Sequence, residues 1–311
     1  MKKQSVPRLG IYRVIDKVGA GGLGSVYKAI NETTGKTVAI KVLHPKFISD
    51  RRFLGIFHRE LLIVSGLHHT HIVSYLDSYF KPPECYIVTE FIDGWSGHGL
   101  LKMNRNFPPL IALSILIEIL IGLDYLHLHD TIHSDLSAAN YMLDKSGQVY
   151  VNDFGLSCKL DIEDYKDYMV GTPGYYSPEH ITENSVVPQS DIYSAGLLLY
   201  EMIVGEKAVV SSKDRNQIIG NMKKIDFSRI NIIKDRKMRW MTKRILKHAL
   251  QFKVSNRYSV VEEMIYDCYR VLDQSGIRFP KQAIRKYLVD VALIKGPFDG
   301  VEQNIYQGAS K

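Results

Sequence analysis

Cysteine is scarce, acidic residues are outnumbered and no long apolar run is present, and each shortage narrows what this chain can be. Its 311 residues contain three cysteines, Cys85, Cys158 and Cys268. They are too few and too widely spaced for a disulfide framework or a metal-ligand pair, so reduced thiols in a reducing compartment are expected. No uninterrupted apolar run reaches the roughly 18 residues of a membrane span. The most apolar segment, Leu110 to Leu128, is broken by Ser114, Glu118, Asp124 and His127 and reads as a buried amphipathic helix. The N-terminal run Met1 to Arg8 is basic, but no apolar block follows it. A secretory signal is therefore not expected, and the cytoplasm is the default location. Acid is shortest between Lys213 and Arg257, where fourteen Lys or Arg face three Asp, against a net charge of +7 for the whole chain. A solvated face accounts for such a run by itself. Its functional reading is the docking of an acidic partner, with nucleic acid the less expected ligand.

What is present is a chain of 45% hydrophobic content, long enough for one two-lobed unit or two domains. Residues Ile11 to Val18 alternate like a half-buried strand, and Gly19, Gly21 and Gly24 then punctuate a hairpin before a second strand, Ser25 to Ala29. Without Cβ atoms, the backbone N–H groups of such a hairpin approach phosphate oxygens closely. A dinucleotide fingerprint is the rival reading, but it leads into a helix, whereas β-branched and aromatic residues follow here. A third strand, Thr37 to Val42, carries Lys41 in an apolar run. A buried ammonium needs a carboxylate partner, and the helical segment Arg51 to Leu67 offers Glu60, with Phe57, Leu61 and Val64 as its core-facing stripe. Two more strands, Ile72 to Tyr79 and Cys85 to Phe91, precede a turn at Glu90 to Gly94. Beyond it the pattern becomes helical.

The Leu110 to His129 helix delivers the chain to His133-Ser134-Asp135-Leu136-Ser137-Ala138-Ala139-Asn140. Short strands, Tyr141 to Leu143 and Gln148 to Val151, separate Asn140 from Asp153 in Asp153-Phe154-Gly155. Pairing of those strands brings Asn140 and Asp153 to the same ion, beside Asp135. One carboxylate that orients a hydroxyl and two further oxygens that hold Mg²⁺ suit phosphoryl transfer.

These motifs resemble those of protein kinases, and the sequence Gly171-Thr172-Pro173-Gly174-Tyr175-Tyr176-Ser177-Pro178-Glu179 is similar to the substrate-facing end of the serine/threonine kind. The resemblance extends from about Ile11 to Leu272. It implies an α+β, bilobal protein-kinase-like fold: a five-stranded β lobe with one main helix over residues 1–91, a mainly helical lobe over 92–272, and a helix and tail over 273–311. In the tail, Ala283, Ile284, Tyr287, Leu288 and Val291 form an apolar helix face, followed by a disordered end after Gly296. The implied activity is transfer of the ATP γ-phosphate to Ser or Thr hydroxyls of a protein substrate. Asp135 positions that hydroxyl and accepts its proton, Asn140 and Asp153 hold Mg²⁺, and Lys41 braced by Glu60 anchors the α and β phosphates. Gly19, Gly21 and Gly24 cover the phosphates, the backbone of Glu90 and Ile92 meets the adenine edge, and Val26 and Ala39 complete the nucleotide site beside Thr89. Asp191, in a helix opened by Ser190, is implied to tie down the catalytic loop, and Arg257 to pair with Glu179.

Two residues depart from the family's pattern. Ser137 stands where serine/threonine kinases carry a lysine near the transferring phosphate, a compatible change, since some bacterial members share it. Ser134 stands where an arginine usually receives an activation-segment phosphate, so dependence on phosphorylation of Ser157, Tyr165, Tyr168 or Thr172 is not expected. A pseudokinase, serving as a nucleotide-binding or scaffold module, is the alternative. A small-molecule kinase is a further one, against which the Gly171 to Glu179 segment and Arg257 weigh.

Overall fold

The structure, a computed structural model, describes residues 8–159 and 171–294. Tyr165, Tyr168 and the tail after Gly296 lie outside the described residues. The chain forms two compact units that divide between Asp93 and Gly94, two residues beyond the division after Phe91 suggested above.

The first unit is a six-stranded sheet in the order β1-β2-β3-β4-β6-β5. Its strands are β1 (Arg8–Leu9), β2 (Tyr12–Ala20), β3 (Gly24–Asn31), β4 (Thr37–Leu43), β5 (Tyr75–Lys81) and β6 (Glu84–Glu90). Five strands were expected; the sixth is the two-residue β1, which pairs Leu9 with Tyr12 at the edge. Between β4 and β5 run the short α1 (Pro45–Ile48) and the main helix α2 (Arg51–Ser65), which Asp50 caps by accepting the Arg52 N–H. A bulge between Val14 and Asp16 shifts the register of β2. Tyr12 and Val14 are buried and Ile15 faces out by simple alternation, and the one-residue slip beyond Val14 turns Val18 out as well. Tyr12, Ala29, Val38, Ile40, Tyr86 and Val88 form the sheet's core cluster.

The second unit opens with β7 (Gly94–Ser96), α3 (Gly97–Asn104) and α4 (Pro109–Leu128). The expectation of an amphipathic α4 is corrected. Ten consecutive residues, Ile111 to Leu120, are buried, because the later segments Val149–Val151, Pro188–Val204, Val261–Gln274 and Pro280–Asp290 pack around the helix; it is apolar on every side. Short strands β8 (Thr131–Ile132), β9 (Tyr141–Asp144), β10 (Val149–Val151) and β11 (Cys158–Lys159) follow, then α5 (Pro178–Thr182), α6 (Pro188–Val204), α7 (Arg215–Met222), α8 (Arg236–Ala249), α9 (Val261–Gln274) and α10 (Pro280–Asp290). On α10 the buried face is Ala283, Ile284, Tyr287 and Leu288, whereas Val291 is the C-cap and is exposed. The three cysteines are free and buried.

One buried ion pair ties this unit together. Arg257 donates from Nη1 to Glu179 Oε1 at 2.9 Å and from Nη2 to Oε2 at 2.6 Å. Burial alone would push the Glu179 carboxyl up, but the Arg257 guanidinium and the Ser190 hydroxyl outweigh it and hold the group below the ordinary carboxylate range. Glu179→Gln leaves a buried guanidinium without its counter-charge, and urea unfolding at pH 7 is expected to show a loss of about 3–5 kcal/mol. Because the folded pKa is depressed, the pair's contribution is present above the unfolded value of 4.5 and disappears as pH falls through the folded one. The stability gap between wild type and variant therefore closes in acid; a gap under about 1 kcal/mol at pH 7 contradicts this account.

Candidate active site

The loop at His133 is built around Asp191, a fully buried carboxylate in the first turn of α6, where the helix dipole favours a negative charge. The His133 N–H donates to Asp191 Oδ2 and the Ser134 N–H to Oδ1, both at 2.9 Å. His127, at the end of α4, places Nε2 2.8 Å from Oδ2. Ser134 sits at φ +65°, a left-handed conformation that an L residue holds only when its surroundings dictate it. The Asp135 N–H donates to His133 Nδ1 at 3.3 Å, so the ring's proton is on Nε2, which faces the Asn152 carbonyl at 3.2 Å. The imidazole thus links the loop to the segment that carries Asp153.

The expected acceptors lie on that frame. Asn140 uses both Nδ2 hydrogens on Asp135, one to its carbonyl at 2.8 Å and one to Oδ2 at 2.9 Å. That leaves Oδ1 as the amide's acceptor atom. β9 pairs with β10 through Tyr141 and Val151, and the Asn152 N–H donates to the Asn140 carbonyl at 3.1 Å. Asn140 and the exposed Asp153, itself at φ +63°, are held close by this hairpin. Asp135 Oδ1 accepts the Thr172 N–H at 2.7 Å. Burial raises the Asp135 carboxyl above its ordinary value and the neighbouring Asp153 adds to the rise, while Thr172 and His133 oppose it. The donors fit Mg²⁺: they are hard oxygens with few carboxylates, and the described residues contain no His, Cys, Asp and Glu cage for a fully protein-ligated metal.

The other predicted residues lie in the first unit. Lys41 Nζ donates to Glu60 Oε1 at 2.7 Å and Oε2 at 2.8 Å, with Glu60 buried on α2. Val26 is the cross-strand partner of Lys41, and Ala39 stands two residues earlier on β4, so the three share one face of the sheet. Gly19, Gly21 and Gly24 span the β2–β3 turn, closed by the Gly21 N–H to the Gly24 carbonyl at 2.8 Å. Glu90 is fixed by Ser74, whose N–H and hydroxyl both donate to its Oε1 at 2.8 Å. Ile92 is buried.

Some contacts were not foreseen. The Tyr175 hydroxyl donates to Glu201 Oε2 and accepts the Ala138 N–H, and the Ser194 hydroxyl donates to the Tyr175 carbonyl at 2.8 Å. The Tyr176 hydroxyl donates to the Gly171 carbonyl at 2.7 Å. Gly171, at φ +150°, has no room for a side chain, since a Cβ would lie 2.8 Å from the Tyr176 ring and 3.4 Å from Asp135 Oδ1. Glu201 carried one readable signal: like Lys41 in its apolar strand, it is a charge among apolar residues, here on a helix, and so demands a partner.

Comparison with known sequences shows the family of this chain. The family model of the protein kinase domain aligns with residues 12–269. The chain belongs to the protein kinase family. It is similar to the serine/threonine-protein kinase pak-1 of Caenorhabditis elegans, 32% identical over 262 residues that make up 83% of this chain and 44% of that protein. It is also similar to a probable serine/threonine-protein kinase PknB of Lactococcus lactis, 32% identical over 82% of this chain and 41% of the relative. With the serine/threonine-protein kinase PrkC of Bacillus subtilis it shares 30% identity over 63% of this chain and 31% of the relative. The chain spans less than half the length of these curated relatives.

Within this protein kinase fold the two departures are well packed. Ser134 places its hydroxyl 3.5 Å from the Cys158 thiol on β11, the strand that pairs with β8 just ahead of the loop. Ser137 is fully buried, and its hydroxyl has no hydrogen-bond partner among the described residues. Ser157 is buried as well, its hydroxyl donating to the His133 carbonyl at 3.0 Å.

Proposed function

We propose that this chain is an ATP- and Mg²⁺-dependent protein kinase that phosphorylates serine or threonine hydroxyls. The observation that carries this reading is the joining of two parts at the Asp135 carboxylate: the Asn140 amide, and the Gly171 to Glu179 ledge docked on it through Thr172. The names of the relatives, all serine/threonine-protein kinases, support the class of hydroxyl. Asp135 orients the acceptor and takes its proton. Asn140 Oδ1 and Asp153 hold the ion, whose charge offsets that of the phosphate oxygens when bound. Lys41, held in place by Glu60, binds the α and β phosphates, and the glycine hairpin, Val26, Ala39 and the Glu90–Ile92 backbone receive the rest of the nucleotide. Ser137 supplies no charge at the transferring phosphate, and one lost preorganised contact of that kind lowers a rate by about 10²–10³. We place the enzyme in the cytoplasm and assign the 213–257 region to acidic partners.

Activity does not depend on activation-segment phosphorylation in this reading. Ser134 offers a neutral hydroxyl to Cys158, where a phosphate receptor needs a cation, and Ser157 is sealed in the core.

Transfer of radiolabel from γ-labelled ATP to a generic protein, with Mg²⁺ and with Mn²⁺, is expected from the purified chain. Asp135→Ala is expected to lower kcat by about 10²–10⁴, and Asp153→Ala to abolish transfer; equal labelling by all three proteins rules the reading out. Because Asp135 is raised and must be ionised, the acid limb of the kcat profile is expected above its ordinary value of 3.8. Phosphatase treatment, checked by mass spectrometry for loss of phosphate at Thr172, Tyr165 and Tyr168, is expected to leave kcat within about twofold. A drop to background assigns the enzyme to the phosphorylation-dependent kind.

A further inference from the structure

One ammonium group is fastened onto the substrate-facing ledge by contacts that serve neither ATP nor magnesium. Lys207 follows α6, and its Nζ donates to the Pro173 carbonyl at 2.8 Å and stands 4.8 Å from the centre of the Tyr175 ring. Gly174 gives it room: its φ is +93°, and a Cβ there would come within 2.8 Å of Lys207 Cδ. The side chain remains exposed. Carbonyl and ring fix where the charge stands while its remaining donors point to solvent.

The nearby acids have other partners. Glu201 accepts from the Tyr175 hydroxyl, and Glu206 pairs with Arg229 Nη1 at 2.8 Å. Among the described residues no carboxylate forms an ion pair with Lys207. The charge is also near the chemistry. Pro173 follows Thr172, whose N–H donates to Asp135 Oδ1 at 2.7 Å. Two residues of chain span at most about 7 Å, which keeps the ammonium within about 13 Å of that carboxylate. An extended peptide advances about 3.3 Å per residue, so this distance covers roughly four residues on either side of an acceptor held at Asp135.

We propose that Lys207 reads an anionic side chain within about four residues of the acceptor hydroxyl, so that the enzyme prefers acidic acceptor peptides. This rests on the protein kinase reading of the site. A carboxylate or a phosphate meets a positioned, solvated point charge, whereas Lys or Arg at the same place in the peptide is repelled. The contact is exposed, so the preference is about three- to tenfold in kcat/KM at low salt and shrinks as salt rises.

The test uses the full chain with peptides of one sequence that differ only in Ala, Glu, phosphoserine or Lys at each of the positions flanking a single acceptor. Wild type is expected to favour Glu over Ala about three- to tenfold at the best position, with the phosphoserine arm telling which anion is preferred. Lys207→Arg keeps the preference, Lys207→Ala brings the Glu/Ala ratio to within about twofold of unity, and Lys207→Glu shifts preference toward the Lys peptide. If Lys207 only braces the ledge, Lys207→Ala lowers kcat/KM for every peptide by one factor and leaves the ratio intact, which overturns the proposal. A wild type that labels generic protein without acidic preference at any position overturns it too, while the kinase reading stands. Transfer to no acceptor at all overturns both.

Discussion

Asp191 is a carboxylate with no access to water, and the rest of the second unit's active surface depends on how its charge is satisfied. Burying an ion is costly unless donors surround it. Here the donors are the backbone N–H groups of His133 and Ser134, with His127 beside them. Both N–H groups belong to the two residues that precede Asp135. The need to satisfy one buried charge therefore fixes the backbone of the loop and holds Ser134 in its left-handed conformation. From that fixed point the His133 ring reaches the Asn152 carbonyl, the Asn140 amide braces Asp135, and the Thr172 N–H brings the ledge to the same carboxylate.

The ledge is held from below in the same manner. Arg257 anchors Glu179 at one end, and the Tyr175 hydroxyl joins Glu201 to the Ala138 N–H in the middle. The His133 to Asn140 loop and the ledge are thus one hydrogen-bonded body with α6 as its base. Such a body explains how Ser134 and Ser137 can replace charged residues without loosening the loop. The positions are occupied by small hydroxyls inside a frame that other residues maintain. In the proposed mechanism the cost falls on transition-state charge, and the preorganised geometry is kept.

Much of this was legible in the residues themselves. Lys41 in an apolar strand required a carboxylate, and Glu60 on the next helix was the one positioned to supply it. The hairpin between Asn140 and Asp153 was readable because turn residues flank two short β-prone runs. Other parts were hidden for physical reasons. β1 has two residues, too few for any period, and the bulge in β2 turned Val18 to the outer face. α4 has polar interruptions that suggest one wet face, yet Ser114 donates its hydroxyl to the Leu110 carbonyl at 2.8 Å, and Glu118 is pushed up to about 7 by burial. The contacts of Tyr175, Glu201 and Lys207 join residues 26 to 37 apart in sequence, through side chains whose directions only the folded backbone decides.

The central claim is that Asp191 holds Asp135 in place by binding the loop backbone. Hydrogen exchange and phosphoryl transfer measured together on Asp191→Asn test it most directly, since the amide keeps the shape but loses the charge. The account predicts that protection of the His133 and Ser134 amides falls selectively while the β2 to β4 amides keep theirs, and that kcat drops by about 10² or more. Wild-type exchange at those two amides together with undiminished kcat would contradict it.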